Sequence, residues 1–343
     1  MLEFSFRPIV DDVANPTARL RFHTIVRALG ERGVSAELFE PGRPSELLVW
    51  GARDPGIDVD AMRRLHRRIV FDLTDNILDS RHAPWSPAWW LDRPGRHLRR
   101  RRIRRFLARF DALIVGSVWL AERVRQEYPG PVFVIEDAQD PLPQIPTSPS
   151  TQQLVWIGMD NNLRYLFQAF GSAKALSHFD LKVITSRVRR VRYRGTRSNE
   201  ELASQLPFRT TFVEWSLESH QRELAQCAIA LAPLPLNPVT LAKTENKLLL
   251  YSALGLPFVA SGIPSYRRFV EEHGLGLLAT DPDDWARCLA QLLDDVEGRR
   301  AIAQNGPGIV ARHFGSGALV EKYLAVHRTL LPGGCEETGC GQA

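Results

Sequence analysis

Residues Leu231 to Ser261 read LAPLPLNPVTLAKTENKLLLYSALGLPFVAS, and their order predicts a strand, a helix and a second strand. The apolar run Ala228 to Leu234 has the length of a fully buried strand. Pro233, Pro235 and Pro238 then forbid a regular element, so the chain turns there. A helix-compatible segment follows and closes at Gly255, a residue suited to the left-handed position past a helix end. Pro257 blocks continuation, and Phe258-Val259-Ala260 reads as the next buried strand. Within thirty-odd residues this is one crossover of a parallel sheet.

The start of that helix carries the chemistry. Lys243 and Lys247 are four residues apart with Asn246 between them, so a helix would put all three on one face. Free backbone N–H groups and the positive end of the helix dipole lie nearby, a combination that binds phosphate. In an open α/β sheet, ligands sit beyond the carboxyl ends of the strands. The same residues also read as a solvated helix start with two surface lysines.

KTENKLLLYSALGLPFVAS, from Lys243 to Ser261, resembles the donor-domain signature of GT-B glycosyltransferases of the family-4-like group. Lys243, Lys247, Leu249, Tyr251, Ala253, Gly255, Pro257, Val259 and Ser261 fall in register with it. The preceding stretch, Trp215 to Pro238, is similar to the family's approach to that strand. The resemblance implies two Rossmann-like doubly wound domains facing across a cleft. It also implies a nucleotide-sugar donor in the carboxy-terminal half and a saccharide or lipid-linked acceptor in the amino-terminal half. Lys247 would stabilise the departing diphosphate, and Gly158, Lys243, Asn246, Lys247 and Tyr251 would bind the donor. No metal and no cofactor beyond the donor are implied. The family motif also implies retention at the anomeric carbon. Two positions depart from the pattern. Leu250 stands where the family has a carboxylate for the ribose hydroxyls, and leucine accepts no hydrogen bond. Met159-Asp160 follows Gly158 where the family continues with basic residues, and Arg187, at the end of the next strand, is the candidate for the missing charge.

Working outward, the first half reads as alternating strands and helices. Strands are predicted at 4–10, 35–39, 47–51, 68–73, 112–116 and 132–136, which argues for a doubly wound parallel sheet. Asn15 caps a first helix with Pro16 at its first position; Phe22, Ile25, Val26 and Leu29 form its core-facing stripe, and Gly33 closes it. Pro141 to Thr151 is dense in proline and serine and reads as the connection between two domains, 1–145 and 146–331, with 332–343 a glycine-rich tail. A second sheet begins at 154–158 and continues at 181–186 and through TTFVEW. Asp281 and Pro282 repeat the cap-then-proline start, and Trp285, Cys288, Leu289 and Leu292 give that helix its buried stripe.

The chain has 343 residues, 44% hydrophobic and 24% charged, with a formal net charge of +5. These values describe a soluble globular protein with room for two domains. The longest apolar runs fall far short of the ~18 residues of a membrane span, and Met1-Leu2-Glu3 opens no signal peptide. The expected location is the cytoplasm. Cys227 and Cys288 read as core residues, and Cys335 and Cys340 lie in the tail. No G-x-G-x-x-G, phosphate loop, zincin motif or Ser-His-Asp order is present. That leaves nicotinamide enzymes and kinases without support.

In the first half, FDLTDN places Asp72, Asp75 and Asn76 at the end of a predicted central strand. Asp75 there reads as a general base on an acceptor hydroxyl, as a hydrogen-bond partner of an acceptor sugar, or as a cap for the next helix. Asp58-Val59-Asp60 has the look of a metal motif but sits in a polar loop. Trp85 to Phe110 is the most unusual stretch: Trp85, Trp89 and Trp90 precede a helix with Ile103, Phe106, Leu107 and Phe110 on one stripe and arginines over the rest. It reads as a peripheral contact with an anionic membrane surface, or as a core-packed helix with a solvated basic face. A second basic run spans Arg187 to Arg197. The readings that compete with a glycosyltransferase are a catalytically silent relative acting as a binding or partner subunit, and a nucleic-acid-binding α/β protein.

Overall fold

The computed structural model describes residues 2–51, 58–79, 93–142, 152–171, 176–191 and 195–332. Trp85, Trp89, Trp90, most of the predicted linker (143–151) and both tail cysteines lie outside the described residues. The chain forms two compact units: Met1–Ala138 with Ala242–Thr244 and His313–Ala343, and Gln139–Leu241 with Glu245–Arg312.

The first unit is built on six parallel strands: β1 (Leu2–Arg7), β2 (Ala36–Leu38), β3 (Ser45–Trp50), β4 (His66–Leu73), β5 (Ala112–Val115) and β6 (Val132–Val134). Their order is β2-β1-β3-β4-β5-β6. Asn15 caps the first helix as its sequence demands, its Oδ1 accepting from Thr17 N at 3.0 Å and Ala18 N at 3.2 Å. Phe22, Ile25 and Leu29 bury against Phe4 and Phe6 of β1. Gly33 closes the segment at φ 76°. On the opposite face, the Arg93–Leu107 helix buries Leu107 against Phe71 and Leu113, with Phe110, just past its end, beside them.

The second unit contains β7 (Leu154–Ile157), β8 (Asp180–Thr185), β9 (Val188–Val191), β10 (Gly195–Ser198), β11 (Arg209–Glu214), β12 (Ile229–Ala232), β13 (Phe258–Ser261) and β14 (Gly276–Ala279). Six of these form a parallel sheet in the order β11-β8-β7-β12-β13-β14, while β9 and β10 make a separate antiparallel pair. The opening stretch folds as read: β12, the helix Asn246–Ala253, then β13, with β12 and β13 parallel neighbours. Gly255 takes φ 67°, and an added Cβ there would come within 2.7 Å of the Ala303 carbonyl oxygen, so no larger residue fits. Asp281 caps the Pro282–Asp294 helix, accepting from Asp284 N at 2.9 Å. Trp285, Cys288, Leu289 and Leu292 pack into the core.

Three features differ from the sequence reading. The helix Ser316–Leu330 groups with the first unit, where Leu319, Val320, Tyr323 and Val326 lie against Phe4, Phe6 and Phe22. Its apolar stripe found that sheet rather than the one preceding it in sequence. The basic run Arg187 to Arg197 takes in β9 and all but the last residue of β10, and β14 closes the second sheet at an edge no predicted strand covered.

Candidate functional site

Strand order locates the site. In the second sheet β7 has β8 on one side and β12 on the other, so the winding direction reverses between β7 and β12. Side chains cannot fill the opening left where successive connections diverge, and ligands bind at the carboxyl ends of such strands. Gly158 directly follows β7, and the Asn246–Ala253 helix follows β12.

The connection after β12 is fixed by its own polar groups. Asn237 Oδ1 accepts from Val239 N (3.0 Å) and Thr240 N (3.2 Å), and buried Thr240 donates to the Pro235 carbonyl. No side chain caps the Asn246–Ala253 helix. Glu245, just before it, is buried and pairs with Arg268 at 3.4 Å, which offsets the negative charge at the helix start. Lys247, in the first turn, is half-buried. Its Nζ lies 4.6 Å from the centroid of the Trp156 ring on β7, within cation–π range. A Cβ built on Gly158 would stand 3.2 Å from that Nζ and 2.5 Å from Trp156 Cζ2. Glycine is therefore required at the end of β7 by the ring beside it. The Gly158 N–H continues the ladder to the Ile184 carbonyl at 3.1 Å, so its contribution to a ligand is room for close approach, not a donor.

The donor-site residues expected from the sequence do not all meet here. Lys247 and Gly158 do, and Asn246 opens the same helix turn. Lys243 does not share a helix face with Lys247, because the helix starts at Asn246. Tyr251 is fully buried and donates to the Leu231 carbonyl at 3.1 Å. Burial pushes its phenol well above the usual range; Tyr251 anchors the helix to β12 and does not face a ligand. Arg187, the candidate for the charge missing after Gly158, lies between Glu214 at 3.1 Å and Glu200. Leu250 is half-buried beside the fully buried Leu249. Sequence reasoning passed over Trp156, although period-two alternation along β7 puts it on the same face as Gly158.

The first unit carries a second constellation at the carboxyl end of β4. Asp75 Oδ1 accepts from Lys243 Nζ at 2.7 Å. Lys243 lies in a three-residue segment that groups with that unit: Ser117 Oγ donates to the Ala242 carbonyl at 3.0 Å, and Thr244 Oγ1 donates to Asp137 at 2.7 Å. The local turn after Asp75 belongs to Asn76, whose Oδ1 accepts from Leu78 N at 3.0 Å. Asp72 is buried on Arg21, whose guanidinium meets both carboxylate oxygens and also reaches Asp137 at 3.0 Å. Burial alone would lower the Arg21 pKa, but the two carboxylates outweigh it and keep the group charged. Asp72 is therefore structural, and Asp75 is the half-exposed carboxylate there. Asp58 caps Val59–Met62, accepting from Asp60 N and Ala61 N, and so is a helix cap rather than half of a metal motif.

Residues 151–295 match the family model described as glycosyl transferases group 1. No protein of curated function matches the chain by sequence. Among solved structures, the chain is similar to sucrose-phosphate synthase from Thermosynechococcus elongatus, with TM-score 0.69 and 14% identity over 96% of this chain and 99% of that one. It is similar to Anabaena HepE, solved with UDP and glucose, with TM-score 0.66 and 15% identity over 95% of this chain and 99% of that one. WaaG, a glycosyltransferase involved in lipopolysaccharide biosynthesis, gives TM-score 0.58 and 14% identity over 97% of this chain and all of that one (100%).

Proposed function

We propose, for a chain of the GT-B fold whose residues 151–295 match the glycosyl transferases group 1, the transfer of a hexose from a nucleotide-activated donor to an acceptor hydroxyl. The observation that carries the reading is Lys247, an ammonium held at the reversal point of the second sheet in the first turn of a helix without a side-chain cap. A diphosphate leaving group develops negative charge as the glycosidic bond breaks. A preorganised cation and a helix N-terminus stabilise that charge without reorganising. With the charge taken up in this way, the reaction is proposed to need neither metal nor a further cofactor. Asp75, oriented by Lys243, is the residue proposed to meet the acceptor hydroxyl and take its proton. The first unit, extended by the Ser316–Leu330 helix, is thus the acceptor unit, and the second is the donor unit.

The test is a thermal-shift screen of the full chain against nucleoside diphosphates and sugar nucleotides, followed by a turnover assay. A ligand that binds only the folded state raises its stability by mass action, so the cognate nucleotide raises the Tm. Lys247→Ala then weakens nucleoside-diphosphate binding by about 1.5–3 kcal/mol, the worth of a charged hydrogen bond. Binding without hydrolysis or transfer would identify a silent relative. No shift with any nucleotide, together with salt-sensitive duplex binding, would favour a nucleic-acid protein.

A peripheral role at an anionic membrane is supported by one further observation. In the Arg93–Leu107 helix, Leu98, Arg101, Arg102 and Arg105 are exposed at i, i+3, i+4 and i+7 and so share one face. Leu98 is 68% exposed. A leucine among three arginines suits a surface of anionic headgroups over hydrocarbon. Among the described residues no helix is long and apolar enough to cross a membrane, so the contact would be peripheral and would favour a lipid-linked acceptor.

A further inference from the structure

We infer that Trp156 is a positioning residue for Lys247: the indole face fixes the ammonium beside Gly158, where the diphosphate is met. The inference rests on the donor-site reading above and adds what holds its key cation in place. Lysine carries its charge on a flexible four-carbon stem, and a mobile ammonium loses rotamer freedom on binding an anion. Here the freedom is already reduced. Lys247 Nζ sits 4.6 Å from the ring centroid, and tryptophan offers the strongest cation–π face of the aromatic side chains. The ring cannot retreat, since it lies wholly within the core with Leu163, Leu166 and Phe170.

Two details distinguish this from ordinary core packing. The Trp156 Nε1–H is buried and has no hydrogen-bond partner among the described residues. An unsatisfied buried donor is destabilising, so phenylalanine would suit the core better if packing were the ring's only task. The second is Gly158. Its missing side chain leaves the space where the ring edge and the ammonium converge, and an added methyl would stand 2.5 Å from Cζ2, 2.6 Å from Cη2 and 3.2 Å from Nζ. Indole, ammonium and glycine thus form one packed unit at the strand end.

The experiment compares wild type, Trp156→Leu, Trp156→Phe, Gly158→Ala and Lys247→Ala. The chain has only five lysines, Lys174, Lys182, Lys243, Lys247 and Lys322, so their ε-CH₂ resonances can be resolved in lysine-labelled protein. The Lys247 signal, identified by its loss in Lys247→Ala, is expected upfield through the ring current. Trp156→Leu should return it to the ordinary position, Trp156→Phe should retain part of the shift, and Gly158→Ala should displace it. UDP and uridine are then titrated. The ratio of UDP to uridine affinity should fall about three- to tenfold in Trp156→Leu and less in Trp156→Phe, with uridine binding unchanged. An ordinary Lys247 shift in the wild type overturns the inference whatever the ligand. A ring contact present by NMR, with the UDP-to-uridine ratio unmoved in Trp156→Leu, overturns it as well. Wild type that binds no UDP while the ring contact is present counts against the donor reading alone. Should Trp156→Leu fail to fold, the Trp156→Phe variant carries the same two readouts.

Discussion

The Lys243 ammonium lies 2.7 Å from the Asp75 carboxylate, across 168 residues of chain. Both groups are more than a third exposed, so the pair adds little to stability. Its consequence is orientation: a carboxylate at a strand end is fixed by a cation that the sequence motif had suggested for phosphate. Asp75→Asn is expected to lower kcat about a hundredfold, the usual weight of a positioned general base, while nucleotide binding is unchanged. Lys243→Ala should lose less, and the double variant should be no worse than Asp75→Asn, as groups acting through one another behave. Steady-state kinetics on the four proteins decides it; full activity in Asp75→Asn removes the carboxylate from the mechanism.

Leu250, where the resemblance implies a ribose-binding carboxylate, is half-buried on the site helix. Its neighbours Leu248 and Leu249 carry the core contacts. Leu250→Glu should therefore fold with a Tm near wild type and leave or strengthen nucleotide affinity, measured by calorimetry. An unfolded variant would make Leu250 a core residue.

Two arginines of the basic helix, Arg100 and Arg104, converge with Arg123 of the Val118–Arg125 helix on the buried side chain of Glu127. Any test of membrane contact must spare them. The triple change Arg101→Gln, Arg102→Gln and Arg105→Gln alters only the exposed stripe, and each arginine near an anionic surface contributes about 1 kcal/mol. Co-sedimentation with phosphatidylserine vesicles at low salt should be lost in the triple variant, and the wild type should release at high salt. Wild type that ignores such vesicles at low salt leaves a solvated basic face.

His66 at the start of β4 accepts or donates one hydrogen bond, Nδ1 to Ser45 Oγ at 2.7 Å, and its Nε2 is buried without a partner among the described residues. Burial lowers its pKa below the ordinary value of 6.5. The unfolded chain then binds a proton that the folded chain refuses, so stability is full above about pH 6.5 and declines as the pH falls below it. Urea midpoints at about pH 7.5 and about pH 5.5 should differ more for wild type than for His66→Phe; equal differences would show that the imidazole is not the titrating group.

Much of the fold was legible because it depends on local physics. Asn15-Pro16 and Asp281-Pro282 cap helices by contacts two or three residues away. Gly33 and Gly255 adopt positive φ where a helix must end. The buried strands announced themselves as short apolar runs, and the strand–helix–strand of Leu231 to Ser261 needed nothing beyond its own prolines, glycine and leucines.

What only the tertiary structure decided were matters settled by distant partners. Sequence spacing put Lys243 and Lys247 on one helix face, yet Ser117, Asp75 and Asp137 hold residues 242–244 in another unit, and the helix begins three residues later than Lys243. Arg187 looked like a free cation at a strand end until Glu200 and Glu214 closed on it. The Ser316–Leu330 helix carries an apolar stripe that fits either sheet, and contact with Phe4 and Phe6 settled which one. Trp156 gave no sign beyond its alternation with Gly158, because a cation–π contact depends on where a helix from another part of the chain sets down its lysine. Local spacing can specify an element, but the partner of a charge is chosen by the packing that brings remote strands together.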